Sequence, residues 1–261
     1  MNGMFIDTSL CVGCRGCMTA CKSWNELPGE KTTFTGSLQS MPDTTSKTYT
    51  LIKFYEHEEN GRLRFDFFKQ QCFHCSDAAC EKACPEEAIY HTKEGAVVRN
   101  YDRCIGCDYC QKACPFNIPR IDTQEKKMHK CTLCFDRLEN GEIPACAQTC
   151  TPGAIKYGNR DELWELAQKR LAEVKKEYPK ANLYPSDKNA LGGTGVFYLL
   201  INEPEFYGLP SEAKLKSTFS LWHDVVRPLG KIVPGLALGA TVIAAVTNSV
   251  KKQREEGHGE Q

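Results

Sequence analysis

The feature that most constrains this chain is a run of twelve residues, Cys104-Ile105-Gly106-Cys107-Asp108-Tyr109-Cys110-Gln111-Lys112-Ala113-Cys114-Pro115. Its spacing is C-x2-C-x2-C-x3-C-P. Three thiolates two residues apart can close around one face of an iron-sulfur cube, while the fourth, three residues on and followed by proline, points away toward a neighbouring cube. One such run therefore implies a second. Paired C-x2-C knuckles also hold tetrahedral zinc, but zinc takes four ligands, and a triple C-x2-C-x2-C closed by C-P offers one cysteine too many at the wrong pitch. Disulfides fit less well still, because thiols two apart in a tight loop are badly placed for distant partners.

The cysteine count extends the argument to the whole chain. The 261 residues contain 16 cysteines, and these fall into four groups of four. They are Cys11, Cys14, Cys17, Cys21; Cys72, Cys75, Cys80, Cys84; Cys104, Cys107, Cys110, Cys114; and Cys131, Cys134, Cys146, Cys150. The first group keeps the spacing with Lys22 in place of proline. The second is C-x2-C-x4-C-x3-C-P and the fourth C-x2-C-x11-C-x3-C, so both lengthen one loop and keep the closing C-x3-C. All four read as quasi-repeats of one unit. Cys84-Pro-Glu-Glu-Ala-Ile-Tyr and Cys150-Thr-Pro-Gly-Ala-Ile-Lys-Tyr share a short apolar stretch that suits a strand leaving a cluster loop.

Lysines plus arginines equal aspartates plus glutamates at 33 each. Each loaded cube with four thiolates would be an anion, which Lys22, Lys82, Arg103, Lys112 and Lys130 could offset in part, although each of them also reads as a solvated surface charge. No basic stripe suggests nucleic acid. The first residues carry no apolar signal region and no paired arginines before Cys11, so the chain is expected either to stay in the cytoplasm or to be carried out by a partner.

Residues 22–71 interrupt the cysteine pattern. Thr48, Thr50, Ile52 and Phe54 alternate, Asn60-Gly61 is a hairpin turn signal, and Leu63, Phe65 and Phe67 alternate on the return, which predicts an inserted β-hairpin with its aromatic residues in the core. Asn159 and Glu162 form a capping-box pattern ahead of Leu163, Leu166, Ala167, Leu171 and Val174, which predicts a helix packed on the cluster domain and ending before Pro179. Residues 180–195 read as a loop, and Val196 to Ile201 as a short buried strand or helical turn.

From Ile232 to Val250 there are nineteen residues without a charge. As a helix they reach about 28 Å, close to the ~30 Å hydrocarbon core, and Gly235-x3-Gly239 and Ala240-x3-Ala244 place small residues where another helix can approach. A single membrane span is expected. A cube with four cysteine ligands has no open coordination position, and the chain carries no G-x-S-x-G, H-E-x-x-H, G-x-G-x-x-G or Walker loop, so a conductor of electrons is expected and not a catalyst. His74, between Cys72 and Cys75, reads as a packing or supporting residue.

The segments Cys72-Phe-His-Cys-Ser-Asp-Ala-Ala-Cys-Glu-Lys-Ala-Cys-Pro, Cys104 to Arg120 and Lys130-Cys-Thr-Leu-Cys-Phe-Asp-Arg resemble the four-cluster iron-sulfur subunits of the molybdopterin oxidoreductase family. Gly192-Gly-Thr-Gly-Val-Phe-Tyr, Tyr207-Gly-Leu-Pro and Leu221-Trp-His-Asp-Val-Val-Arg-Pro-Leu, followed by one span, resemble the β subunits of membrane-bound formate dehydrogenases. The likeness covers all but about the last ten residues. It implies an α+β fold of tandem ferredoxin-like 4Fe-4S domains over 1–158 with an insertion at 22–71, a helix and extended segment over 159–228 packing on the core and on partners, a transmembrane helix over 229–251, and a polar tail over 252–261. It also implies four 4Fe-4S clusters, held by Cys11, Cys14, Cys17 and Cys150; by Cys131, Cys134, Cys146 and Cys21; by Cys72, Cys75, Cys80 and Cys114; and by Cys104, Cys107, Cys110 and Cys84. The implied partners are a molybdopterin catalytic subunit and a membrane cytochrome b or quinone-reactive subunit, with the soluble part on the outer face of a bacterial membrane. Some relatives replace one cysteine by tryptophan and hold a three-iron cluster, whereas this chain has cysteine at every position. Cys150-Thr-Pro departs from the family's cysteine-proline, which leaves that turn open. The same part in a sulfur-compound reductase or hydrogenase complex, or a free polyferredoxin carrier, are the alternatives.

Overall fold

A computed structural model describes residues 2–59 and 61–214. In chain order the elements are β1 (Asn2–Asp7), α1 (Gly16–Trp24), the hairpin β2 (Leu51–Glu59) and β3 (Arg62–Gln70), α2 (Ala79–Lys82), β4 (Ile89–His91), β5 (Val97–Arg99), α3 (Tyr109–Ala113), β6 (Arg120–Ile121), β7 (Met128–His129), α4 (Phe135–Glu139), α5 (Ala145–Gln148), β8 (Ile155–Asn159), α6 (Arg160–Val174), β9 (Asn182–Tyr184) and β10 (Val196–Leu200). The expected membrane span at 229–251 and the tail at 252–261 lie outside the described residues. Among the described residues no helix is long and apolar enough to cross a membrane.

A four-stranded sheet in the order β8-β1-β10-β9 organises the rest. Its central strands β1 and β10 run parallel, Phe5 opposite Phe197 and Ile6 opposite Tyr198. Both carry unbroken apolar runs, Met4-Phe5-Ile6 and Val196 to Leu200, and are buried on both faces, as a strand covered on two sides requires. Alternate residues then serve two different layers. Phe5, Phe197 and Leu199 meet Leu163, Trp164, Ala167 and Val174 of α6, whereas Met4, Ile6, Val196, Tyr198 and Leu200 meet Phe68, Phe73 and the cysteines Cys17, Cys72, Cys131 and Cys146. Helix α6 therefore packs on the sheet, with the cysteine loops on the other side. Its start is as expected, the Asn159 side chain accepting from the N–H groups of Asp161 and Glu162. Residues 180–195 are not wholly loop, since β9 lies within them, and Val196 to Ile201 supplies a central strand.

The hairpin forms at 51–70, with Ile52 opposite Lys69, Phe54 opposite Phe67, Glu56 opposite Phe65 and Glu58 opposite Leu63. Only its base is buried as the alternation suggested. Ile52 sits in the core and Phe54 and Phe67 meet edge to face at 5.1 Å, but Leu63 is 65% and Phe65 41% exposed. The outer half of this hairpin lines an open groove with Glu177, Tyr178 and Lys180 and is not part of the core. On the opposite face of β3, Phe68 packs against Tyr198 and Tyr207.

Candidate iron-sulfur centres

Each cysteine group is built on the same local frame. In all four, the third cysteine is the second residue of a helix: Cys17 in α1, Cys80 in α2, Cys110 in α3 and Cys146 in α5. The closing cysteine follows four positions later, about 6 Å along a helix axis, so one short helix serves two neighbouring sites. The residue two past the first cysteine has a left-handed backbone in every group: Gly13 (φ 64°), His74 (φ 48°), Gly106 (φ 71°) and Leu133 (φ 58°). This turns the loop so that backbone N–H groups face sulfur. The Cys72 sulfur accepts from the His74 N–H and the Cys131 sulfur from the Leu133 N–H, both at 3.4 Å. Cys84, Cys104 and Cys150 accept from the N–H groups of Ala88, Met128 and Ile155 at 3.3–3.4 Å.

After three of the closing cysteines the chain makes one kind of turn. The N–H of Glu87, Asn117 and Gly153 donates to the carbonyl of Cys84, Cys114 and Cys150 respectively, and all three residues have positive φ. Thr151 in place of proline leaves that turn intact. Where Lys22 follows Cys21, α1 instead runs on to Trp24. The two shared apolar stretches both become strands, β4 from Ile89 and β8 from Ile155, and the long loop of the fourth group folds into α4, braced by Arg137 on the carbonyl of Ile143 (2.8 Å) and over the Trp24 ring.

The helices of groups one and four pack together, α1 on α5, and those of groups two and three likewise, α2 on α3. One cavity is lined by Cys11, Cys14, Cys17 and Cys150 within a wall that includes Ile6, Ile52, Phe67 and Ile155. A second is lined by Cys21, Cys131, Cys134 and Cys146 with Met4, Tyr49, Leu133 and Pro144. The thiols that act electrostatically on Cys75 are those of Cys72, Cys114 and Cys80, and those that act on Cys110 are Cys107, Cys104 and Cys84. Cys72 also acts electrostatically on Cys131, which links the third set to the second. The donor set is sulfur throughout, soft ligands suited to iron-sulfur clusters. The sulfurs of the first two sets line cavities, and among the described residues no three His, Cys, Asp or Glu side chains converge as ligands of one ion. Burial pushes the thiols of Cys17, Cys110 and Cys131 up to about 12 and those of Cys114 and Cys134 up to about 11, so loading must displace protons.

The sequence between residues 63 and 160 matches the family of 4Fe-4S dicluster domains. The chain is 41% identical over 229 residues to the nitrate-inducible formate dehydrogenase iron-sulfur subunit of Escherichia coli strain K12, covering 86% of this chain and 77% of that one. Over 267 residues it is 38% identical to the formate dehydrogenase iron-sulfur subunit of Haemophilus influenzae, covering 98% and 84%. The chain belongs to the formate dehydrogenase iron-sulfur subunit family. The hydrogenase-2 operon protein HybA of Escherichia coli O157:H7 is 32% identical over 292 residues, covering 98% of this chain and 86% of that one. As a formate dehydrogenase iron-sulfur subunit, the protein carries 4Fe-4S clusters and transfers electrons without being the catalytic chain.

In this iron-sulfur subunit the sequence carries no sign of the role of Lys69 and misplaces Lys130. Lys22, Lys82, Arg103 and Lys112 reach solvent and pair with Glu30, Asp77, Glu87 and Asp108, but Lys130 is buried, a correction to its reading as surface charge. Its ammonium donates to the carbonyls of Val97 and, at 3.1 Å, Cys131. Lys69 is buried too, bonded to Gln71, and lines both cysteine cavities. Burial alone would lower both lysines, yet the surrounding cysteines, Cys146, Cys17, Cys131 and Cys21 for Lys69 and Cys72, Cys80 and Cys131 for Lys130, hold them above the usual lysine value. His74 supports the frame: its Nδ1 accepts from the Val97 N–H at 3.0 Å, and burial, then Lys130, keeps the ring neutral by pushing its pKa well down. The stretch Leu191 to Val196 braces the second loop, Ser76 donating to Gly193, Asp77 to Leu191, Gly195 to His74 and Val196 to Phe73. A Cβ on Gly195 would lie 3.0 Å from the His74 carbonyl oxygen, which is why glycine stands there.

Proposed function

We propose that this subunit conducts electrons through four 4Fe-4S clusters in series between a molybdenum or tungsten formate dehydrogenase catalytic subunit and a membrane cytochrome b or quinone site. The ligand sets are Cys11, Cys14, Cys17, Cys150; Cys21, Cys131, Cys134, Cys146; Cys72, Cys75, Cys80, Cys114; and Cys84, Cys104, Cys107, Cys110. The observation that carries this reading is the crossing of the closing cysteines, Cys150 joining a cavity lined otherwise by group one and Cys21 one lined otherwise by group four. When bound, the clusters supply reversible one-electron transfer at fixed positions. The chain holds them with sulfur, aims N–H groups at those sulfurs, and walls them with Ile6, Ile52, Phe67, Phe73 and Leu133, which excludes water and keeps the surrounding dielectric low. Residues Ile232 to Val250 anchor the subunit as a single span, with the soluble part on the outer face of the membrane, exported folded with a partner.

Iron and acid-labile sulfide should each approach about sixteen per chain, four per cubane; iron near half that value would remove the four-cluster reading. Formate should bleach the visible absorbance of the purified complex and leave the isolated chain untouched. Truncation at residue 229 should release a fully loaded chain from membranes, since every cysteine precedes Gly153. The likeness to the hydrogenase-2 operon protein favours one second reading, the same part in a hydrogenase complex. Reduction by hydrogen, with formate inert, would establish it.

A further inference from the structure

We infer that Lys69 and Lys130 are fixed positive charges set at two successive junctions between clusters, where each raises the reduction potential of the cluster on either side. The inference rests on the four-cluster reading above. Lys69 is 2% and Lys130 5% exposed. Lys69 lines both the cavity of Cys11, Cys14, Cys17, Cys150 and that of Cys21, Cys131, Cys134, Cys146. Lys130 adjoins Cys131 of the second set, bonds its carbonyl, and is hydrogen-bonded to the Cys72 side chain of the third. No carboxylate among the described residues pairs with either. Lys69 has the amide oxygen of Gln71, and Lys130 has two backbone carbonyls and the sulfur of Cys72, itself one of the proposed cluster ligands.

A buried ammonium without a counter-charge is strongly unfavourable. A fold retains two of them only if negative charge arrives from elsewhere, and here the near candidates are the cysteine sulfurs and what they carry. A cubane with four thiolates is an anion in both redox states and gains one further negative charge on reduction. A cation fixed beside it in a low-dielectric wall therefore favours the reduced form more than the oxidised one. The third junction differs. Lys69 and Lys130 are the two lysines buried among the described residues, and neither lies between the set of Cys72, Cys75, Cys80, Cys114 and that of Cys84, Cys104, Cys107, Cys110. The nearby Lys112 is an exposed charge paired with Asp108. The cluster held by Cys131 thus has two buried cations beside it, those of Cys17 and Cys80 one each, and that of Cys110 none.

The experiment is a redox titration followed by EPR on the intact purified complex, comparing the parent with Lys69→Met, Lys130→Met, the charge-keeping Lys69→Arg and Lys130→Arg, and Lys112→Gln as surface control. Iron content of the parent complex is measured first, so that a chain lacking four cubanes is recognised as a failure of the four-cluster reading and not of this one. Each methionine variant should lower the ratio of reduced to oxidised form about tenfold at two clusters, a drop of about 59 mV for a one-electron couple. One of the two should be shared by both variants, and the arginine and Lys112→Gln variants should leave the midpoints near the parent. Unmoved midpoints, an equal shift of all four, or a shift as large in Lys112→Gln would overturn the proposal. So would loss of clusters in a methionine variant with full loading restored by arginine, because the lysine would then be needed for assembly and not for potential.

Discussion

The loops that begin groups one and three differ from those that begin groups two and four, although all share the left-handed turn. In the first kind the turning residue is glycine and the tip is in solvent: Val12 is 62% and Ile105 59% exposed. In the second kind the turning residues are His74 and Leu133, both buried, with Phe73 buried alongside. A left-handed residue with a side chain costs about 1–2 kcal/mol, while burying a leucine contributes about 1.5–3 kcal/mol. Where the loop faces the core, the side chain more than offsets the strain. Where the loop faces outward nothing offsets it, and at Gly106 a Cβ would lie 2.2 Å from the Lys126 carbonyl oxygen. In the proposed series the glycine loops hold the two end clusters, open to partners, and the side-chain loops hold the two inner ones.

The largest effect expected from this contrast is between cysteines of the two kinds. Cys131→Ser should strip an inner site from the buried core and sharply lower the yield of folded subunit, whereas Cys14→Ser, at an exposed ligand, should leave a folded chain holding about twelve irons, three cubanes' worth. Iron analysis and yield of soluble protein decide it, and equal losses would erase the distinction between end and middle. Next, Leu133→Ala should cost on the order of 3 kcal/mol through the cavity it opens, visible as earlier thermal loss of the cluster absorbance. Gly106→Ala comes third at about 1–3 kcal/mol, since the clashing atom is backbone and the φ is disfavoured; a neutral result would show that glycine is not required at an end loop. Smallest are Val12→Ser and Ile105→Ser, within about 0.5 kcal/mol of the parent on stability, with any change appearing instead as weaker retention of partner subunits on a column.

Much of the site could be read from residues 11–150 alone, because cysteine spacing is a covalent constraint on which sulfurs share a loop. The helix after Asn159 and the hairpin around Asn60-Gly61 were also legible, each carrying a local turn or cap signal that needs no distant partner. The hairpin's outer half was not. Leu63 and Phe65 alternate as core residues would, but they line an open groove against the polar segment after α6, which leaves them exposed. The sheet was hidden for a related reason: Met4 to Ile6 and Val196 to Leu200 are short unbroken apolar runs, which periodicity cannot separate from helix or loop, and their parallel pairing joins segments about 190 residues apart.

By itself the sequence determined the chemistry: a soft sulfur donor set, quasi-repeated, with no open catalytic group beside it. Tertiary structure decided the surroundings of that chemistry. Lys69 and Lys130 have the composition of surface residues, and His74 and Leu133 stand where glycine stands in the other groups. Their roles follow from the β1–β10 sheet and the braced Leu191 to Val196 segment closing over the loops, because burial, and with it the local dielectric, is a property of everything packed around a residue and is encoded in no single stretch of chain.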